Sequence, residues 1–208
     1  MQKEISTTEI VKLYKDTLAI AISYPEYRDL VATHTENKTT TGPIQTEDLV
    51  QYTLLNNSRM NRHDKKMVVP DTINAFFSGF TKKQTWLVLT ESWCGDAAQT
   101  MPMLYKLSQL APSINLRVAL RDKNVALMNH FLTNGGMSIP KLIILDNESD
   151  SIVADWGPRP SPAIKMVNEF KAQHGSLTPE FKQDLQIWYN KDKGISTAED
   201  IYKLLKEN

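Results

Sequence analysis

Apolar residues recur at the spacing of an α-helix through the first eighty residues of the chain. The pattern Ser6-Thr7-Thr8-Glu9 is that of a capping box, and it predicts a helix that ends before Tyr24-Pro25. The apolar face of this helix comprises Ile10, Leu13, Tyr14, Leu18 and Ala21. A short helix over residues 26–33 and two longer helices, one capped by Thr46 and one over residues 71–80, complete a predicted helical region.

The period of the pattern changes at residue 85. The apolar run Trp86-Leu87-Val88-Leu89 is typical of a strand buried on both faces of a sheet. A helix over residues 95–110 and a strand over 116–120 follow, so these three elements predict a right-handed βαβ unit. The remaining predicted elements are a helix over 124–133, strands over 141–145 and 152–155, a helix over 162–173, and helix starts at Thr178-Pro179 and Ser196-Thr197.

This order of elements predicts an α/β fold in which helices flank a central mixed sheet of about four strands. We expect an N-terminal helical extension over residues 1–80, a sheet-containing domain over 81–175 and a C-terminal helical tail over 176–208. The chain has 208 residues, which is enough for one sizeable core with appendages.

Charge and cysteine content narrow the classes of partner. Lys plus Arg and Asp plus Glu each total 24, so no excess of charge favours nucleic acid or an anionic membrane. No apolar run approaches the roughly 20 residues that span a bilayer, and Met1-Gln2-Lys3-Glu4 does not have the pattern of a secretory signal. The single cysteine fits a reducing compartment, and we expect a cytoplasmic protein.

Cys94 is the residue best placed to carry chemistry. It lies where the first predicted strand ends and a helix begins, and free backbone N–H groups at a helix N-terminus stabilise a thiolate. A lone cysteine is more often a small buried hydrophobic residue, but this position favours a reactive and partly accessible thiol. Asp96 opposes thiolate formation as a like charge, so the sequence leaves the net effect on the thiol open.

Several landmarks give the chain a resemblance to the thioredoxin family. Trp93-Cys94-Gly95 matches the start of that family's Trp-Cys-Gly-Pro-Cys motif, and Pro102 matches the proline of its active-site helix. Ile139-Pro140 matches the family's cis-proline, and Gly157 its glycine after the last strand. The resemblance covers residues 84–174, and Trp-Cys-Gly-Asp is similar to a thioredoxin-like subgroup with N-terminal helices. It implies a thioredoxin-like fold in which Ile139 and Pro140 help seat an extended substrate.

Two departures from the family pattern change the expected chemistry. Ala97 stands at the position of the resolving cysteine, so a mixed disulfide on Cys94 cannot be released by a second thiol of the motif. Val88 stands at the position of the family's buried aspartate, which removes a proton-transfer group. A dithiol reductase cycle is therefore excluded.

Other residues are weaker candidates for the site. We expect Trp93, Gly95, Asp96, Ile139 and Pro140 to contact a substrate, although ordinary packing explains Trp93 equally well. The candidates for supporting roles are Glu91, Arg59, Arg62 and Arg121. For Glu91 we favour a solvated charge at a strand end. For Arg121-Asp122, an ion pair explains the residues at least as well as a ligand contact does. Arg59 and Arg62 would form a solvated basic face or, near Cys94, would bind an anionic thiol such as a glutathione-like molecule.

Two functions remain open at the level of sequence. The leading hypothesis is a monothiol thiol–disulfide oxidoreductase in which Cys94 attacks a disulfide and an external low-molecular-weight thiol resolves the adduct. Its partners would be a thiol- or disulfide-containing protein or a small thiol, with no bound cofactor. The four histidines show no metal-ligand spacing with one another or with Cys94, so no metal is expected. The alternative is a catalytically degenerate thioredoxin-fold module that binds a peptide or protein.

Overall fold

The protein is described by a computed structural model that covers residues 6–207. The expectation about Met1–Glu4 therefore lies outside the described residues. The helices are α1 Thr7–Ala19, α2 Tyr24–Glu36, α3 Glu47–Lys66, α4 Asp71–Ser78, α5 Gly95–Leu110, α6 Val125–Met128, α7 Ser161–His174, α8 Pro179–Asp192 and α9 Ile195–Glu207. The strands are β1 Gln84–Thr90, β2 Ile114–Leu120, β3 Lys141–Asp146 and β4 Ser151–Trp156.

The four strands form one mixed sheet with the order β2-β1-β3-β4. β1 is parallel to β2 and antiparallel to β3, and β3 and β4 form an antiparallel hairpin. All seven residues of the inner strand β1 are buried, as the continuous apolar run predicts. The α/β fold with a mixed sheet flanked by helices and with extra helices at both ends is confirmed.

The N-terminal helices begin where their capping residues predict. Ser6 and Glu9 form a capping box at α1, and the Thr46 side chain accepts the backbone N–H of Leu49 at the start of α3. Tyr24-Pro25, however, does not end a helix. Ser23 and Glu26 form a second capping box, and Pro25 occupies the first turn of α2, where its missing N–H costs no hydrogen bond.

The helix predicted over residues 124–133 is shorter in the structure. A 3₁₀ turn spans Arg121–Lys123, and α6 ends at Met128. The chain then turns through i→i+3 hydrogen bonds and closes a small bridge between Thr133 and Gly136, with Asn134 in the left-handed region. The turn-forming residues before β3 thus end the helix earlier than the spacing of the apolar residues predicts.

The core is continuous across most of the chain. One cluster of buried side chains contains residues of the helices α1, α2, α3 and α4, of the sheet, and of α5 and α9. A second, smaller cluster joins α7 to α8 through Ala163, Val167, Phe181, Leu185 and Tyr189. The division into segments 1–80, 81–175 and 176–208 stays a prediction, and the larger cluster includes residues from all three.

A buried polar cluster holds the turn between β1 and α5 against the N-terminal region. The Ser92 hydroxyl accepts the Thr41 backbone N–H at 3.0 Å and shares hydrogen bonds with the hydroxyls of Thr40 and Thr53. The Asn56 side chain donates to the Ser92 carbonyl at 3.0 Å. Because buried polar groups that lose a partner destabilise the fold, this cluster fixes the position of the turn that contains Cys94.

Gly157 permits the close approach of β4 to the turn before β3. It has a φ of +116°, and a Cβ at this position would lie 2.2 Å from the Pro140 carbonyl oxygen. No side chain fits at that distance unless the backbone moves. Gly135 has a φ of +76° but open space around it, so a substitution there has the effect of φ without a steric clash.

We predict that Gly157→Ala lowers the free energy of unfolding by more than about 3 kcal/mol, because it adds a backbone clash to an unfavourable φ. Gly135→Ala is expected to cost about 1 kcal/mol, from φ alone. Urea denaturation followed by circular dichroism measures both values. Equal losses in the two variants would contradict the close contact between Gly157 and Pro140.

Candidate active site

Cys94 is the N-cap residue of α5, directly after the buried turn that follows β1. Its sulfur accepts the backbone N–H of Ala97 at 3.4 Å, and its thiol donates to the Ile139 carbonyl oxygen at 3.2 Å. The sequence prediction of a cysteine at the N-terminus of a helix is therefore confirmed. The helix end favours a thiolate, whereas the hydrogen bond to Ile139 favours the protonated thiol.

The expectation that Cys94 is partly accessible is wrong. The residue is only 7% exposed. Burial, followed by the nearby charge of Asp96, raises the pKa of the Cys94 thiol to about 12, although the Ala97 N–H and Arg159 act in the opposite direction. Desolvation therefore outweighs the helix N-terminus, and the resting state is a neutral thiol.

Helix α8 lies against the start of α5, whereas Cys94 itself belongs to the main cluster of buried side chains. The Tyr189 hydroxyl donates to Asp96 Oδ1 at 2.9 Å, and the Gln99 amide donates to Gln186 Oε1 at 2.8 Å. Arg62 donates to Asn190 Oδ1 at 2.5 Å. Side-chain hydrogen bonds thus hold α8 against α5 and α3, while its apolar face packs on α7.

A cavity of about 470 Å³ opens beside the sulfur. Of the residues expected to contact a substrate, Trp93, Gly95, Asp96 and Ile139 line it together with Cys94. Arg59 and Arg121 line it as well. The Arg121 guanidinium lies 5.1 Å from the centre of the Trp93 ring and forms an ion pair with Asp122 at 2.7 Å, as the sequence favoured.

Pro140 lies behind this cavity rather than in its wall. The Ile139–Pro140 peptide bond is cis, and so is Gly157–Pro158. Pro140 is buried, and its carbonyl lies under Gly157. Ile139 is therefore the residue of this pair that faces the sulfur, through its backbone carbonyl.

Two predicted supporting residues do not line the Cys94 cavity. Arg62 is exposed and contacts α8 through Asn190. Glu91 is fully buried, so the interpretation as a solvated charge is wrong. Its Oε1 accepts the backbone N–H of Asp122 at 2.9 Å, and burial raises its pKa. Glu91 lines a different cavity, together with Thr41 and Leu120.

Sequence reasoning missed the residues that α8 and the loop after β4 bring to the site. Arg159 forms an ion pair with Asp96 at 2.6 Å, and Lys182 and Gln186 line the cavity. Arg159 stood in the motif Trp156-Gly157-Pro158-Arg159-Pro160, which could have identified it. Nothing in the local pattern marks Lys182 or Gln186, because their position depends on how the tail folds back.

The part of the chain that the structure describes contains no group of three or more His, Cys, Asp or Glu side chains that could hold a metal ion. Over the same residues, 6–207, no helix has both the length and the apolar character needed to cross a membrane.

The buried thiol predicts a distinctive pH dependence. With a pKa of about 12, the thiolate fraction rises roughly tenfold per pH unit from pH 7 to pH 10, whereas an ordinary thiol levels off above its pKa of ~8.5. Alkylation of Cys94 by iodoacetamide, followed by mass spectrometry, should show this rise without a plateau. A plateau near pH 9 would contradict the assignment of a desolvated thiol.

Asp96→Asn removes the like charge but keeps an oxygen that can accept the Tyr189 hydroxyl. We predict that it lowers the pKa of Cys94 and raises the alkylation rate at pH 8 by about tenfold. Asp155→Asn is a matched control, since Asp155 pairs with Lys141 rather than with the site. Both variants are alkylated in urea as well, where the rates should be equal. A slower reaction of Asp96→Asn in the folded state would contradict the electrostatic argument.

Comparison with known proteins agrees with this geometry. The Thioredoxin_9 family model, described as thioredoxin, matches residues 42–171, which is more than half of the chain. A search of curated proteins finds no match. A crystal structure of a protein of unknown function from Pseudomonas aeruginosa is similar, with a TM-score of 0.59 and 18% identity over 89% of this chain and 98% of that one.

A second similar structure is an HIV epitope-scaffold of the 4E10 type, with a TM-score of 0.58 and 16% identity. It covers 90% of this chain and 99% of the scaffold. Identities this low show a shared fold and nothing about activity. The family match, the mixed sheet and the position of Cys94 at the start of α5 lead to one conclusion: the chain belongs to the thioredoxin family that this model describes.

Proposed function

We propose that this protein is a monothiol thiol–disulfide oxidoreductase of a single-cysteine Trp-Cys-Gly-Asp subgroup. The observation that carries the proposal is the sulfur of Cys94 at the N-cap of α5, where it accepts the Ala97 N–H and lines a cavity. Helix N-termini of this kind support thiolate chemistry in catalytic cysteines. The cytoplasmic location expected from the single cysteine belongs to the same proposal.

The reaction requires a second thiol from outside the motif. The Cys94 thiolate attacks one sulfur of a disulfide R–S–S–R′, forms Cys94–S–S–R and releases R′–S⁻, which takes up a proton. Ala97 offers no thiol to attack this adduct. An external thiol R″–SH therefore attacks the adduct, forms R–S–S–R″ and restores Cys94.

Because Cys94 is only 7% exposed, exchange requires its sulfur to become more accessible from the cavity, and a small shift of α8 at the start of α5 would provide this. While Cys94 is buried, the pKa of about 12 of its thiol leaves very little thiolate at neutral pH. α8 is held over the site by side-chain hydrogen bonds and packs on a small apolar cluster that is separate from the main core. Segments with few buried apolar contacts open at a lower free-energy cost than the core of a protein.

The burial also favours a second candidate, a binding module that has lost catalysis. In that case the cavity, whose lining includes Met137 and Ser138, would hold a peptide, and Cys94 would remain a thiol at all times. The two candidates differ in whether a mixed disulfide on Cys94 forms and is then released. Incubation with 2-hydroxyethyl disulfide, followed by addition of 2-mercaptoethanol, tests this by intact mass. A protein that gains no adduct in the folded state would favour the binding module.

We predict that Ala97→Cys converts the site to dithiol chemistry. Cys94 and residue 97 are one helical turn apart, and the family forms its reversible disulfide at this separation. Wild-type protein should reduce the disulfides of insulin poorly, and the variant should turn over at least about tenfold faster. An insulin turbidity assay with a dithiol reductant measures the turnover of both proteins relative to the reductant alone.

Gln109→Cys provides the matched control for this prediction. Gln109 is an exposed residue of the same helix, about 22 Å along its axis from Cys94, so a thiol there cannot resolve the adduct. The control should behave as the wild type does. An Ala97→Cys variant that forms its internal disulfide and still reduces no substrate would overturn the oxidoreductase proposal.

A further inference from the structure

The walls of the Cys94 cavity carry more positive than negative charge. Among the described residues that line this cavity, one is acidic, Asp96. The cationic residues that line it are Arg59, Arg121, Arg159 and Lys182. They come from α3, the 3₁₀ turn after β2, the loop after β4 and α8, so cationic groups approach the cavity from several sides.

Two of these cations have carboxylate partners and two do not. Arg159 pairs with Asp96 at 2.6 Å and Arg121 with Asp122 at 2.7 Å. Within residues 6–207, neither Arg59 nor Lys182 forms an ion pair. Arg59 is half-buried and donates to Asn56 Oδ1 at 3.0 Å, and burial together with Arg62 lowers its pKa. The charge of Asp96 acts on Arg59 in the opposite direction, without forming an ion pair. A cation that is partly removed from water and forms no ion pair is stabilised by an anion that binds beside it.

Arg59 also lies close to the reactive centre. Its Nη1 is 3.6 Å from the point that a Cβ on Gly95 would occupy, and the Gln186 amide nitrogen is 3.8 Å from the same point. The Nε–H of Arg159 is buried and has no acceptor among the described residues. Hydrogen-bond donors and positive charge therefore meet next to the sulfur, at the N-terminus of α5.

From this arrangement, and resting on the proposed function, we infer that the substrate is a low-molecular-weight thiol or its disulfide that bears at least one carboxylate. A cavity of about 470 Å³ is suited to a small ligand. The Cys94 thiolate attacks a disulfide R–S–S–R′ in which the R–S half bears the carboxylate, forms Cys94–S–S–R and releases R′–S⁻, which takes up a proton. A molecule of the thiol R–SH then attacks the adduct, forms R–S–S–R and restores the Cys94 thiol, so the net reaction is R–S–S–R′ + R–SH → R–S–S–R + R′–SH.

Three small symmetrical disulfides of different charge test the inference. They are 3,3′-dithiodipropionate, which is dianionic, 2-hydroxyethyl disulfide, which is neutral, and cystamine, which is dicationic. The rate of adduct formation on Cys94 is followed by intact mass at low salt and is divided by the rate of each reagent with a small model thiol. We expect the dianion to react at least about tenfold faster than the neutral reagent, and the dication more slowly than either. This preference should shrink in 0.5 M salt.

Charge-neutralising variants assign the preference to the cavity. Arg59→Gln and Lys182→Gln should each reduce the ratio of dianion to neutral rates by at least about threefold. Lys182 is exposed, so its replacement tests the charge without disturbing the fold. Lys165→Gln is the matched control, because Lys165 is an exposed α7 residue near Glu169 and does not line the cavity. It should retain the wild-type ratio.

The outcomes separate this inference from the proposed function. If Cys94 forms adducts with all three reagents at equal normalised rates, the monothiol function stands and the anionic substrate class is overturned. A preference that survives both Arg59→Gln and Lys182→Gln also overturns it. If none of the three forms an adduct in the folded protein, the proposed function fails and the inference fails with it.

Discussion

The site depends on the junction between β1 and α5, because this junction fixes the sulfur of Cys94 where two physical effects oppose each other. The backbone N–H of Ala97 and the helix N-terminus stabilise a thiolate, while desolvation and the charge of Asp96 destabilise it. Desolvation is the larger effect. The Ser92 cluster ties the junction to the N-terminal region through buried hydrogen bonds.

Helix α8 connects this local balance to the rest of the molecule. Its Tyr189 and Gln186 side chains close over the start of α5, and its apolar face packs on α7 in a cluster that is separate from the main core. A shift of α8 that admits water to the cavity would reduce the desolvation that raises the pKa of the thiol. The same helix contributes Lys182 to the cationic wall, so it both covers the thiol and forms part of the cavity that would receive a substrate.

Local patterns predicted the parts of the fold that local physics determines. The apolar run of β1, the capping boxes and the strand-to-helix position of Cys94 were all readable from the sequence, because each depends on a few neighbouring residues. The βαβ order then required β1 and β2 to be parallel. Trp93, Gly95 and Ile139 could be assigned to the site by their resemblance to a known motif.

The remaining features depend on contacts between distant parts of the chain. Tyr189 and Asp96 are 93 residues apart, and no local period indicates that they meet. The burial of Cys94 was missed because its neighbours come from distant parts of the chain, such as the Ile139 carbonyl 45 residues away. Glu91 was misjudged for the same reason, because the loop that contains Thr41 and Gly42 encloses its carboxylate. α6 ended early where the turn at Asn134 and Gly135 competed with the helix.

The most direct test of the account is the rate of thiol–disulfide exchange at Cys94 when the contacts of α8 are weakened. Gln186→Ala combined with Tyr189→Phe removes two hydrogen bonds to α5, and Gln183→Ala changes an exposed residue of the same helix. With 2-hydroxyethyl disulfide at pH 7.5, the account predicts a rate at least about tenfold higher in the double variant than in the control. Equal rates in two folded proteins would contradict the claim that α8 keeps Cys94 a buried, protonated thiol.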